Sequence, residues 1–151
     1  MSSRPILICY DGSDAADHAI TAAADVLGPG PAVVLDVGEV LTTAESVAAV
    51  SSIVPGNAFE DLNTADALDR ARAGAEHARR AGFEAKPRTE LQSPTCEGIV
   101  DVADEIDAPV IVIGTRALTG VHDALEGSVS HQVAQHSGRP VLIVPAERTT
   151  R

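Results

Sequence analysis

Two stretches of this chain carry residues whose types and spacing suit the holding of a phosphate. Gly127-Ser128-Val129-Ser130 opens a short amphipathic segment, and Gly114, about a dozen residues earlier, follows the apolar run Val110–Ile113. A helix that begins on Gly and Ser offers unpaired backbone N–H groups and the positive end of a dipole, which favours an anion. The chain has a single lysine, Lys86, and lacks the GxxxxGK[ST] pattern, so backbone amides would do most of the holding. A further candidate stands at the front, where Asp11-Gly12-Ser13 follows the apolar run Ile6–Tyr10. An Asp before Gly-Ser makes a turn or caps a helix. Its carboxylate is also suited to accept bonds from ribose hydroxyls or an adenine amino group.

The elements that must position these residues follow from periodicity. Ile6–Tyr10 reads as a strand, and Ala16, Ala19, Ile20, Ala23, Ala24 and Leu27 recur at helical spacing before Gly28-Pro29-Gly30-Pro31 stops the pattern. Ala32–Val37 is a second strand. Residues 38–62 are irregular, with Pro55-Gly56-Asn57 read as a turn. A long helix is predicted from about Leu62 to Ala81, with Ala65, Leu68, Ala71, Ala75 and Ala78 along one face. Phe83–Leu91 is a third strand, placed at an edge by Pro87. Thr95 is suited to cap a helix carrying Ile99, Val102, Ala103 and Ile106. Val110–Ile113, Gly127–Gln135 and Val141–Val144 complete the series as strand, helix and strand.

Alternating strands and helices, with the first, second, fourth and fifth strands apolar on both faces, predict one α/β domain over residues 1–151, its parallel sheet covered by helices. If the second and third strands extend to one side of the first, the fourth and fifth lie on the other. A crevice then opens beyond the carboxyl ends of the first and fourth strands, where Asp11 and Gly114 stand.

Composition narrows the partners. A net charge of −11 and only 11 Lys+Arg disfavour nucleic acid, whose phosphates need clustered cations. No apolar run approaches the length of a membrane span, and the run after Arg4-Pro5 is too short for a secretory leader. Cys9, inside an apolar strand, and Cys96, at a helix start, fit reduced thiols of a cytoplasmic protein. His18, His77, His131 and His136 read as helix positions and His122-Asp123 as loop residues; their spacing predicts no metal site.

The chain resembles the universal stress protein family along essentially its whole length. The likeness is carried by Ile6-Leu7-Ile8-Cys9-Tyr10-Asp11-Gly12-Ser13, by Ile111-Val112-Ile113-Gly114-Thr115-Arg116 with Gly127-Ser128-Val129-Ser130, and by Arg139-Pro140-Val141-Leu142-Ile143-Val144-Pro145. Members that bind ATP carry Gly, two residues, Gly, nine residues, Gly, then Ser or Thr. Gly114 and Gly127-Ser128 stand at matching positions, while the middle glycine is replaced by Ala117. If that position has φ above zero, alanine would cost roughly 1 kcal/mol relative to glycine.

The resemblance implies a five-stranded parallel, Rossmann-like sheet ordered 3-2-1-4-5 with helices on both faces. It also implies a homodimer paired through the last strand, Val141–Val144. Asp11 and the backbone of Val37 would hold the adenosine of ATP or AMP. Gly114, Arg116, Ala117, Gly127, Ser128, Val129 and Ser130 would hold its phosphates, with magnesium arriving on them. Three functions stay open at this point. One is a nucleotide-binding regulatory module that signals stress through a protein partner. Another is a nucleotide-independent interaction protein of the same fold. The third is an enzyme, restricted to a weak ATPase because no Walker lysine or placed base is present.

Overall fold

In the first strand, β1 (Ile6–Tyr10), side chains alternate between two separate apolar layers. Leu7 and Cys9 enter one, Ile8 and Tyr10 the other. This is the period-two pattern of a strand covered on both faces. The computed structural model describes residues 3–36, 56–90, 95–115 and 129–147. After β1 come α1 (Asp14–Leu27), β2 (Pro31–Asp36), α2 (Gly56–Ala81), β3 (Glu84–Thr89), α3 (Thr95–Glu105), β4 (Ile111–Thr115), α4 (Val129–His136) and β5 (Val141–Pro145). The strands form one sheet in the order β3-β2-β1-β4-β5, and every pairing is parallel. The expected order and fold class are therefore observed.

Small residues let the helices lie close to the sheet. On one face α1 contributes Ala16, Ala19, Ile20 and Ala23, and α2 contributes Ala75 and Ala78, over Ile8, Val34, Val112 and Val144. On the other, Ile99, Val102 and Ala103 of α3 and Val133 of α4 cover Leu7, Leu35 and Ile111. The helix α1 starts where its sequence says it should. Gly12 takes the left-handed conformation (φ 80°), and the Ser13 hydroxyl accepts the Ala16 N–H at 3.2 Å as N-cap. Asp14 and Asp17 in its first turn favour the dipole.

Four local expectations need correction. The helix α2 begins at Gly56, so Gly56 and Asn57 are helical and not a turn, while Pro55 lies outside the described residues. Its buried stripe runs through Ala67, Ala71, Ala75 and Ala78, while Ala65 is exposed. Thr95 is already helical and stands as the first residue of α3. Gly114 lies within β4, paired with Val144, and does not begin the loop. A milder difference concerns β5. It is an edge strand, and Ile143 stays 42% exposed, so it is less covered than its apolar sequence suggested. Among the described residues, no helix is long and apolar enough to cross a membrane.

Candidate functional site

The ladder between β1 and β4 is the shortest in the sheet. β1 pairs with β2 along its whole length, through Tyr10 and Asp36, and β4 pairs with β5 through Thr115 and Pro145. Between β1 and β4 the register covers only Leu7 with Ile111 and Ile8 with Val112. The pairing ends there, at the point where strand order reverses, the place where open parallel sheets carry their ligands.

Of the residues singled out by sequence, Asp11, Gly114, Val129 and Ser130 are described. Val37, Arg116, Ala117, Gly127 and Ser128 lie outside the described residues, as do His122 and Asp123. Asp11 stands directly after β1, and its Oδ1 accepts the Ser13 N–H at 2.9 Å. The carboxylate thus makes the turn that its sequence context predicted. Ser130 is buried in the first turn of α4, while Val129 beside it is partly exposed.

Gly114 has a reason for being glycine that sequence did not disclose. A Cβ built there would lie 2.6 Å from the Ala15 carbonyl oxygen and 3.0 Å from its carbon. No side chain fits against backbone at that distance. The missing side chain therefore lets the start of α1 lie against β4.

Two polar groupings at this end went unnoticed in the sequence. Asp36, the last residue of β2, is only 4% exposed, and Arg70 of α2 donates to both its oxygens, Nε at 3.0 Å and Nη2 at 3.2 Å. Such a fork is the strong geometry for a guanidinium and a carboxylate. The pair holds the Arg70 proton more tightly than usual, with the charges of Asp36, Asp66 and Asp11 adding to the effect.

The second grouping lies between α1 and α2. The buried Tyr10 hydroxyl donates to Asp17 at 2.9 Å, and His77 Nδ1 lies 3.3 Å from the same Asp17 oxygen. Burial, then the bond to Asp17, pushes the Tyr10 hydroxyl up to about 12. Gly74 makes room for this ring, since a Cβ there would stand 2.7 Å from Tyr10 Cγ and Cδ1. An apolar strand ending in a carboxylate, as both Leu35-Asp36 and Tyr10-Asp11 do, was the available signal for Asp36. Arg70, 34 residues away in sequence, gave none.

Burial pushes the Cys9 thiol up, away from the thiolate a nucleophile needs. Among the described residues, no group of His, Cys, Asp and Glu is placed to hold a metal ion.

The comparisons bear on the family and the fold. Residues 2–145 match the sequence model of the Universal stress protein family. Universal stress protein YxiE of Bacillus subtilis (strain 168) is 31% identical over 145 residues, spanning 92% of this chain and 97% of that one. The solved structure of hypothetical protein MJ0577 is similar with a TM-score of 0.71 at 22% identity, covering 99% of this chain and 100% of the other. A universal stress protein solved in complex with cAMP is similar with a TM-score of 0.57 at 20% identity, over 97% and 100% of the two chains. The chain belongs to the universal stress protein family.

Proposed function

We propose that this universal stress protein is a regulatory module that binds an adenine nucleotide, ATP or AMP, beyond the carboxyl ends of β1 and β4. The observation that supports the reading is the short ladder between those strands, which ends at Ile8 and Val112, before Asp11 and Gly114 are reached. In this reading Asp11 and Val37 meet the nucleoside. Gly114, Arg116, Ala117, Gly127, Ser128, Val129 and Ser130 surround the phosphates, and magnesium accompanies them. The relative solved with cAMP lends support, since it has the same fold and holds an adenine nucleotide.

The test is calorimetric titration with ATP and AMP, with and without magnesium. Gly127→Asp places a carboxylate where phosphate oxygens would lie. It should weaken ATP binding by about tenfold or more, roughly 1.4 kcal/mol per decade. Unchanged affinity in this variant would place the phosphates elsewhere.

The proposed assembly is a homodimer joined through β5. The two edges of the sheet differ in the way this requires. The β3 edge carries Lys86, Pro87 and Arg88, the residues that blunt an edge against pairing. β5 is Val141-Leu142-Ile143-Val144-Pro145, uncharged and with Ile143 exposed. Leu142→Arg should yield monomers or insoluble protein in a sizing experiment. A soluble dimer of normal stability would move the interface elsewhere.

A second reading, a dimeric interaction protein that needs no nucleotide, draws on Gly114. Its missing side chain already serves the packing of α1, so the glycine by itself does not require a ligand. Absence of ATP, AMP and cAMP binding in the titration would favour it.

A further inference from the structure

The cluster of side chains between α1 and α2 has no part in the nucleotide-binding reading, yet its atoms are ordered for proton transfer. Asp17 and Thr21 stand one turn apart on α1 and share a face. The His77 ring of α2 lies against both. Its Nδ1 is 3.3 Å from Asp17 Oδ1, and its Nε2 is 3.4 Å from Thr21 Oγ1. The same Asp17 oxygen accepts the Tyr10 hydroxyl at 2.9 Å, so the carboxylate is held by a buried residue as well.

This order decides which atom carries a proton. A carboxylate only accepts, so the hydrogen of a neutral His77 ring belongs on Nδ1, facing Asp17. Nε2 is then the acceptor, and it faces the Thr21 hydroxyl. That hydroxyl has a second acceptor in reach, the Asp17 carbonyl at 3.3 Å, and rotation about its C–O bond turns it from one to the other. A hydroxyl, an imidazole that accepts its proton and a carboxylate that sets the tautomer are the parts of an activated nucleophile. Thr21 is exposed, and the His77 and Asp17 side chains are 31% and 37% exposed, so a reagent from solution can reach the group.

Thr21 lies in the middle of α1, where backbone N–H groups bond within the helix. They are not free to stabilise an oxyanion, so an acyl donor must bring its own good leaving group. The Asp17 charge beside the ring disfavours an anionic donor. Neutral aryl esters and thioesters meet both conditions.

We propose that Thr21 is an acyl-acceptor site for activated neutral esters and thioesters, with His77 as general base and Asp17 as the positioning residue that sets its tautomer. Thr21 Oγ forms a bond to the carbonyl carbon while its proton passes to His77 Nε2. The bond to the leaving oxygen or sulfur then breaks, and that atom takes the proton from His77. The products are an ester on Thr21 and a free phenol or thiol.

The experiment exposes the full chain to p-nitrophenyl acetate and, separately, to S-phenyl thioacetate. Acetyl groups are mapped by peptide mass spectrometry over time, with thermal melts of each variant alongside. Thr21 should be acetylated ahead of every other Ser and Thr hydroxyl. His77→Gln should slow this labelling by about a hundredfold, the scale of a positioned general base. Asp17→Asn should slow it by less, a change in rate that a purely structural role would not produce. Thr21→Ser should keep the label at position 21 and Thr21→Val should abolish it, so the test does not depend on one variant folding. Labelling by only one reagent would support the site and restrict the leaving atom to oxygen or sulfur. No acetyl group on Thr21 in the wild-type chain would overturn the proposal. Equal rates in wild type and folded His77→Gln would overturn it too, reducing the cluster to a tie between two helices.

Discussion

The two ends of the sheet are built on opposite plans. At the amino end, arginines tie neighbouring segments together through carbonyls and carboxylates. Arg139, just before β5, donates to the Ala108 carbonyl and to Asp104. Arg79 donates to the Ala85 carbonyl at 3.0 Å near the start of β3, and Arg4 pairs with Asp107 at 3.1 Å. At the carboxyl end the polar groups stand where the strands finish. Asp11 turns the chain, Asp36 is buried against Arg70, and β1 and β4 part after two register pairs. One end carries ties between neighbouring segments and the other carries the end of the β1–β4 ladder. In parallel α/β sheets, ligands lie at the second kind of end.

That contrast can be broken at either side. The largest effect is expected from Gly114→Ala, which pushes a methyl group into the Ala15 carbonyl. Overpacking against backbone should lower stability by about 2–3 kcal/mol, read in urea unfolding, and should weaken nucleotide binding because α1 shifts. Arg139→Met removes the ties to Ala108 and Asp104 and should cost about 2 kcal/mol in the same assay. It should leave ATP affinity unchanged, since it acts at the amino end. A large loss of affinity in this variant would erase the distinction between the ends. Arg4→Ala breaks an ion pair whose side chains are 58% and 69% exposed. Its effect should stay within about 0.5 kcal/mol; a larger one would mean that this contact anchors β1.

What could be read in the sequence was what is local. The Asp11-Gly12-Ser13 turn and cap, the alternation in β1 and the small-residue face of α1 each depend on neighbours within a turn or two, and all are present. The edge position of β3 was legible from Pro87. Asp36 and Arg70 were not, because their meeting depends on how α2 crosses the sheet. Gly114 could be seen to be special, but its partner, the Ala15 backbone, is set by helix packing. The start of α2 was missed because Pro-Gly-Asn reads as a turn, while proline also favours a helix start. Five of the proposed site residues, Val37, Arg116, Ala117, Gly127 and Ser128, lie outside the described residues, so for them the sequence pattern remains the argument.

The most direct test of the account is to follow backbone amide resonances during an ATP titration. The amides of Asp11–Ser13, Gly114, Val129 and Ser130 should move in a saturable way, while those of Ala108, Val110 and Arg139 hold still. Saturable shifts confined to the amino end, or none at any ATP concentration tested, would contradict it.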